Sequence, residues 1–476
     1  MKNRLLVVLA ACALALGHAA TSTTIASSGA LLVSNNFDSG PGSFRDAIDQ
    51  ANADPGVTHI QFTGAVTVVA LQQSVIFTGS QALTIDGNGA ALDGSGIALG
   101  AAFLATGGGD LAISRLTVRD APAEGITVEV PASATGTIHV SLFRVEILNN
   151  LGHGVLVNDQ EDPSTTDGVQ PNANGSAASV AVSVVNSRFV GNGYSASDRD
   201  GLRVNEGGDG DLAITVKHTL AADNAADGIE VDERGAGDVI VDVFGSEVLR
   251  NGQFDAEDLD DGFDIDEYND GSVIGVVSWT TASDNYEEGL DFNENNAGDL
   301  RVDLTHVQVN GNREEGVDYE EDDDFAGGGD LVTTMIDVTT NGNGADGGDA
   351  GLKIREKGVG DLNATLSGID ASDNVIGGIS VREDAAGSLR SAIEHATTVG
   401  NTGRGIDFDE NAAGDLAAAV VDTTSLTNTD MDLRADQQAP GAGSFVLSRV
   451  TYADWRQRAA GAVAPVTSPG RRPGRP

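Results

Sequence analysis

One cysteine in 476 residues rules out a disulfide scaffold. Basic residues are scarce too: 27 Lys and Arg face 72 Asp and Glu, for a formal charge of −45. That balance argues against nucleic acid as a partner, because phosphate recognition needs clustered Lys and Arg. Aromatic residues make up only 4% of the chain. The His and Cys spacing of a zinc site is missing. The apolar run Leu5–Leu16 is too short to span a bilayer, so no transmembrane segment is expected. What is abundant is glycine, 62 residues, and short ordered apolar runs that bring the apolar share to 40%. Such runs can build a core, so the acidity does not imply disorder.

The N-terminus reads as a secretory signal peptide over residues 1–19. Lys2 and Arg4 precede the apolar run, and Gly17-His18-Ala19 supplies the small residues before a cleavage site. Leu9-Ala10-Ala11-Cys12 offers a rival reading as a lipid-anchor motif at Cys12, but the apolar run continues past the cysteine. The expected location is therefore periplasmic, extracellular or at the cell surface. Residues 457–476, rich in Ala, Pro, Gly and Arg, read as a disordered tail.

Between these ends a six-residue phrase recurs: Gly, apolar, any, apolar, any, acid. It begins at Gly201, Gly228, Gly262, Gly289, Gly316, Gly351, Gly378 and Gly405, and the steps are 27, 34, 27, 27, 35, 27 and 27. A fixed step of 27 with two insertions marks a structural repeat. Two further marks keep their place. A Gly-Asp-Leu or a variant opens a second alternating run, as at Gly298-Asp299-Leu300. An asparagine stands four residues before the next glycine, at Asn224, Asn285, Asn312, Asn374 and Asn401, and Asn428 stands four before Asp432, where a weaker copy begins. Each unit is thus three short period-2 segments separated by turns.

Three strands in about 27 residues predict one rung of a right-handed parallel β-helix, an all-β solenoid in which each strand pairs with its copy one rung away. Period 2 excludes TPR and ankyrin repeats, and a propeller blade needs more residues and a fourth strand. Inward positions would stack Ile229, Ile265, Phe292, Tyr319, Ile354, Val381 and Phe408, and the asparagines would form an amide ladder. A helix capped by Ser43, with Phe44, Ala47, Ile48 and Ala51 on one face, would cover the N-terminal end. The domain reading is a cap helix and first rungs over 30–100, repeats over 101–437 and a C-terminal cap over 438–456.

These repeats resemble the right-handed parallel β-helix proteins of the pectate-lyase-like superfamily. The stretch Asp38–Asn52, followed by Pro55–Phe62, resembles the opening segment of secreted β-helix proteins with a CSLREA-type N-terminus. The resemblance implies the fold. It leaves activity open, because that superfamily holds lyases, hydrolases, epimerases and adhesins.

The second and fourth residues after each glycine form one strip. On four successive rungs it carries Glu230 and Asp232, Asp264 and Asp266, Asp291 and Asn293, then Asp318 and Glu320. Like charges in register repel, and raise their pKa values or recruit cations. Oxygen-only clusters suit Ca²⁺, with Glu230, Asp232, Asp264, Asp266, Asp291, Asp318 and Glu320 as ligands. Insertions at Gly193–Asp200, Gly252–Asp261, Gly342–Ala350, Asp159–Gly175 and Asp322–Phe325 border the strip and would wall a groove. The resemblance implies an extended polysaccharide in that groove, with Lys353, Arg355 and Arg382 beside Asp318 as lyase or hydrolase candidates. Asp407, Asp409 and Tyr268 would then contact substrate. An ion pair is the plainer reading of Lys353 and the arginines. The alternative function is a non-catalytic surface or matrix protein.

Two acidic columns border the turn after the strip. Glu206, Glu233, Glu267, Glu294, Glu321, Glu356, Glu383 and Glu410 are open between hydrogen-bonded caps and calcium bridges between rungs. Asp211, Asp238, Asp299, Asp330, Asp361 and Asp415 are expected to cap turns, with the preceding glycine in a left-handed conformation.

Overall fold

The computed structural model describes residues 30–159, 175–196, 198–254, 259–322, 328–438, 441–459 and 466–467. The signal-peptide reading, Cys12 and most of the expected tail lie outside them, as do parts of four insertions. Alternation of apolar and polar residues gives most rungs three strands, for example Phe263–Glu267, Val273–Ser278 and Thr281–Ser283, and in two rungs a lone bridge at Thr339 or Asp370 takes the third place. First strands pair only with first strands, in parallel, and stack into a 14-stranded sheet from Val75–Phe77 to Trp455–Ala459. Second and third strands pair with their own copies and form the other walls of the coil. The protein is an all-β parallel solenoid. Among the described residues no helix is long and apolar enough to cross a membrane.

The inward positions lie where the alternation puts them. Ile229, Ile265, Phe292, Tyr319, Ile354, Val381 and Phe408 are all buried, and Phe292 packs edge-on to Tyr319 with ring centroids 5.0 Å apart. Each such side chain contributes about 1.5–3 kcal/mol of burial. Near the N-terminal end, helix Phe44–Ala53 begins at Ser43, whose hydroxyl accepts the Asp46 N–H at 3.1 Å. Phe44, Ala47, Ile48 and Ala51 face the coil, and Phe44 packs on Phe62 and Phe103.

The asparagine ladder runs further than its spacing suggested. Asn150, Asn192, Asn251 and Asn343 join the column, so that one amide oxygen per rung accepts both the backbone N–H and the side-chain N–H of the asparagine before it. The Asn251 N–H and Nδ2 both reach Asn285 Oδ1 at 3.1 Å, and Asn285 reaches Asn312 Oδ1 at 2.9 and 3.0 Å. Insertions separate Asn192, Asn251 and Asn343 from the next glycine, which hid them in the sequence. The repeat glycine exists because of this ladder. A Cβ at Gly201 would lie 2.5 Å from the Gly228 carbonyl oxygen and 2.7 Å from Asn224 Nδ2.

The Gly-Asp turns differ from expectation in two ways. Gly237, Gly298 and Gly360 do not have positive φ. They are glycine because the rungs touch there: a Cβ at Gly298 would sit 1.5 Å from the Gly271 carbonyl oxygen. The aspartates do cap backbone, but in the next rung rather than their own turn. Asp299 Oδ1 accepts the Asp330 N–H at 2.8 Å, and Asp330 Oδ1 accepts the Asp361 N–H at 3.0 Å.

Candidate cation-binding site

On the outer face of the first sheet, register places Arg203, Glu230, Asp264, Asp291, Asp318, Lys353, Ser380 and Asp407 in one row. A second row holds Asn205, Asp232, Asp266, Asn293, Glu320, Arg355, Arg382 and Asp409. A third row comes from the residue just before each of the first five repeat glycines: Asp200, Asp227, Asp261, Glu288 and Glu315. The sequence shows an acid at each of these five places, but strand alternation gives no direction to a residue that precedes the strand. These carboxylates also tie rungs together. Asp200 Oδ1 accepts the Asp227 N–H at 3.1 Å, Asp227 Oδ1 accepts the Asp261 N–H, and Asp261 Oδ1 accepts the Glu288 N–H at 2.6 Å.

The first and third rows face each other and bring acids together in threes. Ligand atoms within 4.8 Å of one another are offered by Asp198, Asp200 and Glu230; Asp227, Glu230 and Asp264; and Asp261, Asp264 and Asp291. Asp261 with Glu287 and Glu288, and Glu288 with Glu315 and Asp318, do the same. Asp264, Asp291 and Asp318 each have a buried Oδ1 that no hydrogen-bond donor reaches among the described residues. These oxygens are shielded although Asp264 and Asp291 are half-buried as whole residues, and Glu230 is only 4% exposed.

The chain supplies its own cations at both ends of this stretch. Arg203 reaches Asp198 and Glu230 at 2.5 Å, Asp232 at 2.9 Å and Asp200 at 3.5 Å. At the other end Lys353 Nζ lies 2.6 Å from both Asp318 and Glu320. Among the described residues, Asp227, Asp261, Asp264, Glu288 and Asp291 have no ion-pair partner.

Charge follows from this arrangement. Burial, and then repulsion from Asp266, Asp291, Asp261 and Asp227, pushes the Asp264 carboxyl well above its ordinary range. Burial and then Asp318 do the same to Asp291. Asp318 is also raised by burial, but Lys353 pulls it back to about 7. Lys353 itself is held well above the usual lysine range by Asp318 and Glu320, which outweigh its burial.

The second row is engaged otherwise. Asp232 meets both Arg203 and Arg234, the latter at 2.7 Å. Asp266 accepts the Tyr268 hydroxyl at 2.6 Å, and the Arg234 guanidinium lies over the Tyr268 ring at 4.9 Å. Glu320 is shared by Lys353 and Lys357. Arg355 and Arg382 converge on Asp384 at 2.8 and 2.5 Å. Asp407 is held by Arg434 and Arg404, and Asp409 by Arg434. Of the seven expected cation ligands, Glu230, Asp264, Asp291 and Asp318 fall in the carboxylate triads, while Asp232, Asp266 and Glu320 face the protein's own donors.

A scan of protein-family models returns no match, and neither does a search of curated proteins. Solved structures do match. The mannuronan C-5 epimerase AlgE6 A-module of Azotobacter vinelandii aligns over 89% of this chain and 99% of its own, at 13% identity and a TM-score of 0.37. The catalytic domain of a GH87 α-1,3-glucanase, in complex with tetrasaccharides, covers 94% of this chain and 69% of its own, at 11% identity and a TM-score of 0.34. PfbA, a surface adhesin of Streptococcus pneumoniae, covers 81% of this chain and 92% of its own, at 10% identity and a TM-score of 0.26.

Chemically, the triads offer hard oxygen ligands without His or Cys, a donor set for Ca²⁺ rather than Zn²⁺. Three carboxylates fill part of a shell of six to eight oxygens, leaving positions for water or for oxygens of a ligand.

Proposed function

We propose that this protein works outside the cytoplasm and binds divalent cations, Ca²⁺ foremost, along the first-sheet groove, and through them an extended anionic polysaccharide. The observation that carries the reading is the uncompensated stretch between Arg203 and Lys353. There, triads drawn from Asp227, Glu230, Asp261, Asp264, Glu288, Asp291, Glu315 and Asp318 meet with no lysine or arginine at the central positions. A divalent ion removes the mutual repulsion that otherwise keeps these groups protonated. The row runs along the coil axis with a spacing of about 4.8 Å per rung, which suits an extended polymer. An anionic chain would need the ions as bridges, since bare carboxylates repel it.

The ion pairs favour a binding role over catalysis. A base must lose its proton near working pH, and Asp318 and Glu320 hold the proton on Lys353. Arg355 and Arg382 are engaged by Asp384. Calorimetric titration of EGTA-treated protein with Ca²⁺ tests the cation reading. Heat of binding and a higher melting temperature are expected, and the absence of both refutes it. Polyuronates assayed with and without Ca²⁺ then test the glycan. Unsaturated-product absorbance that disappears in Lys353→Ala would establish the lyase alternative.

A further inference from the structure

The glutamates at the fifth position after each repeat glycine lie on the opposite side of the sheet from the cation row. Register stacks Glu206, Glu233, Glu267, Glu294, Glu321, Glu356, Glu383 and Glu410 one per rung, and all are 0% exposed. In several rungs one carboxyl oxygen accepts a nearby backbone N–H: Gly235 to Glu233 at 2.8 Å, Asn269 to Glu267 at 3.0 Å and Ala385 to Glu383 at 3.1 Å. Yet every member keeps at least one buried oxygen that no donor reaches among the described residues. Eight ionised carboxylates stacked in a dry interior would repel strongly, so something must neutralise them.

Three observations decide what does. First, the groups that face the column are acids as well: Asp159 at its start, and Asp361, Asp384 and Asp415 from the turns and neighbouring strands. The nearby Arg234 turns instead to Asp232 and the Tyr268 ring. Second, the described residues around the column form no cradle for a metal ion. A linear stack brings carboxyls together only in pairs, and none of the three-acid groups among the described residues includes a column glutamate. The glycine column closes the space, since a Cβ at Gly298 would lie 2.9 Å from Glu294 Oε1 and 1.5 Å from the Gly271 carbonyl oxygen. Third, the next place in the column belongs to Gln437, paired with Glu410 and 1% exposed, whose Nε2 donates to the Gly414 carbonyl at 2.8 Å. Glutamine is the neutral isostere of a protonated glutamate.

We propose that this column is a proton-binding site, a chain of carboxyl groups each sharing a proton with the next, which stays loaded at neutral pH and empties only as the coil opens in alkali. The direction of titration agrees. Burial, then the neighbouring glutamates, pushes Glu294 up to about 10 and Glu356 up to about 11. Glu206 is raised to about 8 and Glu410 to about 7, and burial also raises Glu267 and Glu321. A folded pKa above the ordinary 4.5 means the native state holds more protons than the unfolded chain. Stability from the column is therefore complete below about 4.5 and is lost as pH rises through the folded values.

Infrared spectroscopy of the full chain in EGTA tests this directly. The C=O stretch of protonated carboxyl groups should be present at pH 7 in the native protein and vanish on unfolding at the same pH. Its absence from the native protein overturns the proposal. Glu383→Gln lies beyond the carboxylate triads. It should remove part of that band, move the alkaline unfolding midpoint upward and leave Ca²⁺ binding unchanged. A downward shift, or lost Ca²⁺ binding, overturns the proposal, and if that variant does not fold Glu410→Gln at the end of the column takes its place with the same expected outcomes. Cation-row carboxyls such as Asp264 and Asp291 also add to the wild-type band in EGTA. The part of the band lost in Glu383→Gln therefore isolates the column, and this proposal and the calcium reading fail separately.

Discussion

Asp264→Asn should change sign with calcium. Asp264 is the one residue common to the triad with Asp227 and Glu230 and the triad with Asp261 and Asp291. Two carboxylates about 5 Å apart at an effective permittivity of ~20 repel by about 3 kcal/mol, and partial protonation reduces that. In EGTA the asparagine removes this repulsion while keeping the shape, so the variant should be more stable than wild type by about 1–3 kcal/mol. With Ca²⁺ at a hundred times its dissociation constant, each bound ion adds about 2.7 kcal/mol to the wild type. Because the two triads share Asp264, the substitution weakens both sites, and the loss should be about 3–5 kcal/mol if two ions bind. The apparent advantage in EGTA thus becomes a deficit in Ca²⁺. Urea unfolding of both proteins, with and without the ion, measures the crossover. If the variant ranks the same way in both conditions, or the wild-type midpoint ignores Ca²⁺, the reasoning fails.

Asn285→Ala should cost about 3–5 kcal/mol, because it removes the acceptor of both the buried Asn251 N–H and Asn251 Nδ2 and the side-chain donor to the Val248 carbonyl and Asn312 Oδ1, and an effect under ~1 kcal/mol by denaturant unfolding would contradict the ladder. Gly298→Ala should destabilise by about 3 kcal/mol or more, since its Cβ would lie 1.5 Å from a backbone oxygen that cannot rotate away; a thermal shift of a degree or less would refute the contact. Ca²⁺ affinity should weaken as pH falls through about 7, the value to which Asp318 is raised, because protons then compete for the same oxygens, and calorimetry at several pH values reads the slope. Lys353→Ala should destabilise the Ca²⁺-free protein by about 2–4 kcal/mol, leaving Asp318 without its counter-ion, and should tighten Ca²⁺ binding at the adjacent triad; weaker binding in a titration would count against an ion pair as its role.

Period-2 alternation within a constant step determined the architecture. Once Ile265, Phe292 and Tyr319 alternate with acids and recur every rung, only a stacked parallel coil buries them all, and the asparagine before each glycine follows because that turn has a buried N–H to satisfy. The same alternation placed Glu230, Asp264, Asp291 and Asp318 on one line. It did not decide which acids meet. Asp227, Asp261, Glu288 and Glu315 lie just outside the strand, where alternation no longer dictates direction, and only the turn geometry swings them over the first row to complete the triads. Nor did it decide the state of the glutamate column. Fifth after the glycine, each residue stands where strand becomes turn, and hydrophilic composition alone suggested a cap or a calcium bridge. The close glycine contacts of the next turn seal it inside, and burial without a counter-cation is a property of three-dimensional packing rather than of residue order.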